Sequence, residues 1–107
     1  MTPEKRVQNS LMSYMSKLET DGHPIFFERR QAGGFSYKMG IPDLYAVYDG
    51  QHIEIEVKAP GCNLRPMQIK FKQQCEQKNI LYICCSDLQD LRQFFINEFF
   101  GCSHPPF

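Results

Sequence analysis

The strongest local constraint on the fold of this chain is a turn signal, the pair Asp49-Gly50, between two segments that read as β-strands. Residues 44–48 and 51–58 are rich in branched and aromatic side chains, and Asp-Gly between such segments is typical of a hairpin with a two-residue loop. Each step away from that loop adds one cross-strand pair. The register therefore predicts that Asp43 lies directly opposite Glu56.

Two carboxylates that face each other in a sheet need compensation, because like charges whose side chains start about 5 Å apart are destabilising. A divalent cation would supply it, and hard oxygen ligands suit Mg²⁺ or Mn²⁺. Side chains alternate along a strand, so Glu54, Glu56 and Lys58 are predicted to share one face, opposite an apolar face. A lysine at such a site would lie near any anion that the metal binds, which suggests a phosphodiester substrate.

The motifs on this hairpin resemble those of a known family. Gly40-Ile41-Pro42-Asp43, followed by Glu56-Val57-Lys58, is similar to the signature of PD-(D/E)XK nucleases. With Gln68 ten residues after the lysine, the pattern resembles the VRR-type nuclease (VRR-NUC) branch. The resemblance extends from Glu4 to the last helix. It implies an α/β fold of the restriction-endonuclease type, with the order α-β-β-β-α-β-α and a central mixed four-stranded sheet.

The resemblance also implies a metal site built on the hairpin. Asp43, Glu56 and the backbone carbonyl of Val57 would hold one or two Mg²⁺ or Mn²⁺ ions. Glu4, on the first helix, would be an outer ligand or a ligand of a second metal ion. From spacing alone, a carboxylate such as Glu4 serves equally well to stabilise the positive end of a helix dipole.

The catalytic residues implied by the same resemblance are Asp43, Glu56, Lys58 and Gln68. Lys58 would orient the attacking water or stabilise the charge that develops on the phosphate, and Gln68 would orient water or phosphate. Without the resemblance, a glutamine in the first turn of a helix is ordinarily a surface residue. In-line attack by water would leave 5′-phosphate and 3′-hydroxyl ends.

Hydrophobic periodicity predicts the other elements of the fold. Thr2-Pro3-Glu4 is typical of a helix start, and residues 25–30 read as a first strand. Residues 81–85 form a short apolar segment, which predicts a buried strand reached by a strand-helix-strand crossover. A last helix is expected to follow from residue 86 or 87.

The crossover helix is expected to begin near Pro66, with Ile69, Cys75 and Phe71 as its buried positions. Related nucleases tend to carry serine or threonine immediately before this proline. Here the residue is Arg65, which predicts a weaker N-cap.

Charge is distributed unevenly, although the formal net charge of the chain is zero. Residues 58–78 include five basic residues and one acidic residue, which suits a basic surface beside an acidic metal site; a solvated helix face would show the same pattern. Arg29 and Arg30 are neighbours on a strand, so at most one of them is expected to reach the site. The candidate DNA-binding residues are Arg29, Arg30, Tyr37, Lys38, Arg65, Lys70 and Lys72.

A chain of 107 residues is expected to form a single nuclease domain over residues 1–107, with an irregular tail over 101–107. Leu88, Leu91, Phe95 and Phe99 form the apolar stripe of the last helix. Phe94 and Phe100 fall outside that stripe, which indicates a wide core contact or, as we favour, a homodimer interface.

The rest of the composition points to a cytoplasmic protein, plausibly encoded by a bacterium or a phage. No segment approaches the length of a membrane span, so no membrane partner is expected, and residues 1–10 lack the apolar core of a signal peptide. The five cysteines form no C-x-x-C pair, and we expect them to be reduced thiols.

The sequence therefore predicts a structure-specific DNA endonuclease that depends on Mg²⁺ or Mn²⁺. Stand-alone domains of the resembled family look like Holliday-junction resolvases, so branched DNA and a homodimer are the expected partners. A flap nuclease, a single-strand nuclease or a nickase would share every motif. A non-catalytic DNA-binding module is the alternative of another class.

Overall fold

The computed structural model describes residues 1–30 and 38–101. The helices and strands follow the predicted order: α1 (Pro3–Thr20), β1 (Ile25–Arg29), β2 (Leu44–Tyr48), β3 (Gln51–Val57), α2 (Pro66–Gln77), β4 (Leu81–Cys85) and α3 (Leu88–Phe95), which continues into a π-helical turn (Ile96–Phe100). The α/β class and the element order are confirmed. The expected irregular tail lies outside the described residues, except for Gly101.

The four strands form one mixed sheet in the order β1-β2-β3-β4. Strands β1, β2 and β3 are antiparallel neighbours, and β4 lies parallel to β3. The parallel pair requires a crossover, and helix α2 provides it. Strand β3 therefore lies in the interior of the sheet, with a neighbour on each side.

The predicted hairpin register is confirmed. Tyr48 pairs with Gln51, and Leu44 pairs with Ile55. Asp49 and Gly50 have φ angles of 50° and 82°, as expected for a two-residue hairpin turn in which both loop residues take positive φ. Asp43 comes one position before Leu44, at the step of the register that faces Glu56.

The main core lies between one face of the sheet and the helices α1 and α3. From the helices it contains Leu11, Met15, Leu18, Leu91 and Phe95, which meet a sheet face formed by Leu44, Ala46, Ile53 and Ile55. Helix α2 packs on the opposite face, where the rings of Phe71 and Tyr82 lie 6.4 Å apart. Both faces of β3 are consequently covered, and Glu54 and Glu56 are buried along with the apolar side chains.

The end of helix α3 explains the surplus aromatic residues. In its π-helical turn the Gly101 amide donates to the Ile96 carbonyl (2.8 Å), five residues back. Each such turn holds one residue more than an α-helical turn, so Phe99 and Phe100 both reach the core beside Phe95, and Phe94 packs against its edge. The core contact is observed within one chain, and the dimer interface stays a prediction.

Helix α2 begins at Pro66 as predicted, and Cys75 is buried. The prediction that Ile69 is buried is wrong, because its side chain is 44% exposed. Gln68 and Cys75 are seven residues apart and so lie on one face of the helix. That face is turned towards the sheet, which leaves Ile69 towards solvent.

Within the described parts of the chain, no helix combines the length and the apolar character needed to cross a membrane.

The position of Phe100 leads to a test of its role. Its ring lies 5.9 Å from those of both Tyr48 and Phe95, so Phe100→Ala should lower the free energy of unfolding by about 2 kcal/mol, less than the roughly 3–5 kcal/mol typical of a fully buried phenylalanine. Urea denaturation at several protein concentrations measures this loss. If Phe100 packs within one chain, the loss is independent of concentration. Phe26→Ala, at a ring that is 49% exposed, is the control and should lose less.

Candidate active site

Asp43 and Glu56 are brought together at one end of the sheet by the β2–β3 hairpin. Asp43 immediately precedes β2 and is exposed, whereas Glu56 lies near the end of β3 and is only 6% exposed. The buried Glu56 Oε1 has no hydrogen-bond partner among the described residues. A buried carboxylate oxygen without a donor is costly, so this oxygen marks the place where a ligand would be stabilising.

Electrostatics place further charged groups around Glu56. The pKa of Glu56 is raised to about 7, chiefly by burial; the negative charges of Asp43 and Glu4 also act to raise it, while Lys58 and Arg65 act to lower it. A group with this pKa is only partly ionised at neutral pH. The positive charges of Lys58 and Arg65 are thus insufficient to keep the carboxyl group fully ionised at neutral pH.

The donor set fits a hard divalent cation. Two carboxylates and a nearby backbone carbonyl are oxygen ligands of the kind that Mg²⁺ and Mn²⁺ prefer, and the unpartnered Glu56 oxygen is available to one. In residues 1–30 and 38–101 no three His, Cys, Asp or Glu side chains gather into a ready-made metal cluster. The carboxylates of Asp43 and Glu56, together with the Val57 carbonyl, stay the predicted ligands.

Glu4 reaches the same end of the sheet from the first turn of α1. It lines a pocket of about 190 Å³ together with Thr2, Lys5, Gln8, Arg29, Arg30 and Asp43. Glu4 therefore shares a pocket with Asp43 and acts on the pKa of Glu56. Both arginines at the end of β1 line this pocket, and the expectation that at most one of them reaches the metal site stays a prediction.

Lys58 follows directly after β3 and is half-buried. Its backbone amide donates to the Cys85 carbonyl (2.9 Å), which holds this residue to the end of β4. Its ammonium lowers the pKa of Glu56, so Lys58 lies within electrostatic range of the candidate metal ligands.

Gln68 is buried rather than at the surface, with 4% of its area exposed. The backbone amide of Arg65 donates to Gln68 Oε1 (2.8 Å), which is half of the reciprocal bonding of a capping box. Gln68 thereby contributes to capping the start of α2 at its N-cap residue, Arg65. A glutamine at this position has a structural role whether or not it contacts substrate.

The loop before Asp43 lies directly against helix α2. Gly40 has a φ angle of 71°, and a Cβ atom at this position would lie 2.3 Å from the Met67 carbonyl oxygen. The first turn of α2 can approach the loop this closely only because residue 40 has no side chain. The contact brings the helix end that carries Gln68 beside the Pro-Asp motif.

The remaining DNA-binding candidates lie on several surfaces. Lys38 and Lys70 are exposed, while Arg65 and Lys72 are half-buried. Arg65 acts on the pKa of Glu56 and Lys72 on the pKa of Cys84, so both lie near the β3–β4 part of the sheet. Tyr37 lies outside the described residues.

Sequence reasoning missed an ion pair next to the site. Glu54 shares a face of β3 with Glu56, as strand alternation predicts, and its carboxylate is bound by both terminal nitrogens of Arg30 (2.6 and 2.7 Å), while His52 Nε2 lies 2.6 Å from it. Strand alternation gives the face of each side chain. The register of β1 against β2 could not be predicted in the same way, however, because a long connection rather than a tight turn joins these two strands.

Comparisons with known proteins support the fold. No family model matches the sequence, and no curated protein matches it. A solved structure described as a VRR_NUC domain superimposes with a TM-score of 0.72, covering 92% of this chain and 99% of that chain at 19% sequence identity. The chain has the VRR_NUC fold. In this VRR_NUC fold the predicted residues Asp43, Glu56 and Lys58 lie at one end of the sheet.

The raised pKa of Glu56 predicts how the metal-free protein responds to pH. Glu56 has a pKa of about 7 when folded, against an ordinary value of 4.5, so between these values the folded state binds more protons than the unfolded state. The contribution of Glu56 to the free energy of unfolding is fully present below about pH 4.5. About 3 kcal/mol of it is lost as the pH rises through 7.

Glu56→Gln removes this titration, and the neutral amide should therefore stabilise the metal-free protein at pH 8. Urea denaturation in EDTA at several pH values measures both effects. A wild type and a Glu56→Gln variant with parallel pH profiles would contradict the assignment.

The close approach at Gly40 predicts a large effect of one added methyl group. Gly61→Ala, at a residue with φ of 84° and no atom within 4 Å of the new Cβ, should cost about 1–2 kcal/mol from backbone strain alone. Gly40→Ala carries the same strain together with the clash against Met67, which should add about 1–3 kcal/mol. Equal losses of unfolding free energy in the two variants would show that the contact with α2 does not exist in solution.

Proposed function

We propose that this chain is a metal-dependent endonuclease that hydrolyses phosphodiester bonds in DNA. The observation that carries the proposal is the buried oxygen of Glu56, which has no hydrogen-bond partner among the described residues. Glu56 follows Ile55, the last partner of β2 in the hairpin ladder, and Lys58 comes two residues later. The VRR_NUC fold supports it, because a nuclease is what the similar domain's description names.

Asp43, Glu56 and the Val57 carbonyl would hold the Mg²⁺ or Mn²⁺ ion, with Glu4 as an outer or second-metal ligand. When bound, the ion supplies Lewis-acid activation of water and phosphate. Lys58 would orient the attacking water and donate to the phosphate oxygens as negative charge develops on them. The side-chain amide of Gln68, at the adjacent end of α2, would orient water or phosphate.

The reaction would be an in-line displacement at phosphorus. Water forms the new P–O bond, the bond from phosphorus to the 3′ oxygen breaks, and that oxygen takes up a proton. The products would be 5′-phosphate and 3′-hydroxyl ends. One proton of the attacking water is balanced by the proton that the 3′ oxygen takes up, and the other is released to solvent. Hydrolysis therefore needs no further reactant.

The proposed substrate is a four-way DNA junction, and the proposed active form is a homodimer. A four-way junction presents two symmetry-related strands to cut, which suits a protein with two-fold symmetry. A single chain measures 36 × 35 × 24 Å, too small to enclose a branched DNA by itself. Phe94 and Phe100 pack against the core, so the proposal of a dimer is based on the symmetry of the substrate.

The decisive experiment incubates wild type, Asp43→Asn and Lys58→Ala with labelled four-way junction, flap, single-stranded and duplex DNA, each with Mg²⁺, Mn²⁺ or EDTA. We expect paired symmetric cuts in the junction that EDTA and Asp43→Asn abolish. Lys58→Ala should lower kcat about 10²–10³-fold, as the loss of one donor to a developing oxyanion does. Lys78→Ala, at an exposed lysine at the far end of α2, is the matched control and should cut like wild type.

Each other outcome selects an alternative. Metal-dependent cutting of flap or single-stranded DNA alone would keep the chemistry and replace the junction by another DNA geometry. Nicks in only one strand would indicate a nickase. Junction binding without cutting under any condition would favour a DNA-binding module. A monomer by light scattering at working concentration would count against junction resolution.

Metal binding is tested separately by thermal unfolding at pH 8 with increasing Mn²⁺. Because a ligand that binds only the folded state stabilises it, the wild type should gain stability and Asp43→Asn should not. A gain that persists in Asp43→Asn would place the ion elsewhere.

A further inference from the structure

We infer that Arg30 and Glu54 are positioning residues that set the distance between the two metal-binding carboxylates, Asp43 and Glu56. This inference rests on the proposed function, since it concerns how the fold holds the candidate ligands. Neither residue belongs to the motif that resembles known nucleases.

Arg30 donates hydrogen bonds to the backbone carbonyls of two successive residues, Pro42 and Asp43. Its backbone amide donates to the Asp43 carbonyl (2.6 Å), and its Nη1 donates to the Pro42 carbonyl (2.7 Å). The side chain of Pro42 is itself fully buried. The segment that carries Asp43 is thus fixed by one residue of the neighbouring strand.

These contacts matter because the hairpin ladder ends before Asp43. The last pair between β2 and β3 in the described ladder is Leu44 with Ile55. Pairing with β3 therefore does not by itself hold Asp43 opposite Glu56. The contacts of Arg30 restrain the backbone at the point where the ladder has stopped.

Glu54 connects Arg30 to the strand that carries the other ligand. The guanidinium makes a bidentate pair with the Glu54 carboxylate (2.6 and 2.7 Å), a geometry that fixes direction as well as distance. Glu54 is buried and precedes Glu56 by two residues on β3. One continuous chain of contacts consequently links Pro42 and Asp43 through Arg30 and Glu54 to the strand of Glu56.

Two further side chains contact this pair without reaching Pro42 or Asp43. His52 Nε2 lies 2.6 Å from Glu54 Oε2, and the Arg30 guanidinium lies 4.7 Å from the centre of the Tyr45 ring. Buried ion pairs add little net stability compared with apolar side chains of similar size. The orientation that this pair imposes on the Asp43 segment gives a reason for its presence.

The test compares Arg30→Lys and Glu54→Gln with wild type. Calorimetry measures Mn²⁺ binding, cleavage assays on the DNA that the wild type cuts give kcat and KM, and thermal unfolding in EDTA measures stability without metal. Lysine keeps the charge but cannot reproduce the bidentate fork. We expect Mn²⁺ affinity to fall about 10–100-fold in each variant, as when groups that orient metal ligands are removed, with kcat reduced. KM for DNA should be little changed in Glu54→Gln, because Glu54 is not a DNA-binding candidate. The double variant should lose no more than the worse single variant, because both residues act through one pair.

His52→Ala is the matched control. It removes a contact to the same carboxylate but none to Pro42 or Asp43, so it should lower thermal stability while Mn²⁺ affinity stays at the wild-type value. Glu54→Gln keeps the size and shape of the side chain, so it provides the test if Arg30→Lys fails to fold.

The positioning role would be overturned if both Arg30→Lys and Glu54→Gln bound Mn²⁺ with wild-type affinity and only their unfolding temperature were lower. That result would leave the proposed nuclease intact. An equal loss of affinity in His52→Ala would also overturn it, because the effect would then follow general destabilisation. A wild type that binds no Mn²⁺ and cuts no DNA would overturn the proposed function and this inference together.

Discussion

The antiparallel pairing of β2 with β3 is the interaction on which the candidate site depends. A two-residue turn sets the register, and a shift of one residue would move every side chain of a strand to the other face of the sheet. With the observed register, Asp43 and Glu56 meet at the open end of the hairpin. Helix α1 adds Glu4 at the same end, and β1 adds the contacts of Arg30.

The two glutamates of β3 differ in their hydrogen-bond and ion-pair partners. Glu54 and Glu56 lie on the same face and are similarly buried, yet Glu54 is bound by Arg30 and His52, while one oxygen of Glu56 has no partner among the described residues and its pKa is raised to about 7. Glu54 is thereby suited to a structural role. Glu56 retains the capacity to bind a cation, and this contrast underlies both the proposed chemistry and the proposed positioning pair.

Several residues show where prediction from sequence succeeded and where it did not. The hairpin register was predictable because Asp-Gly turns are local and stereochemically restricted. The burial of Gln68 and the exposure of Ile69 were not, because the rotation of α2 depends on its packing against the sheet and on the approach of Gly40. The aromatic residues at the end of α3 were ambiguous, since a π-helical turn changes which positions face the core.

The sequence by itself determined the class of the fold, the order of its elements and the register of the β2–β3 hairpin, because hydrophobic periodicity and turn chemistry act over a few residues. Only the tertiary structure decided which carboxylate is neutralised, which is left without a partner and how the segment before β2 is held. Those properties depend on contacts between residues far apart in the chain, such as Arg30 with Glu54 and Gly40 with Met67. Such contacts have no local signal because they arise only when the strands and helices pack together.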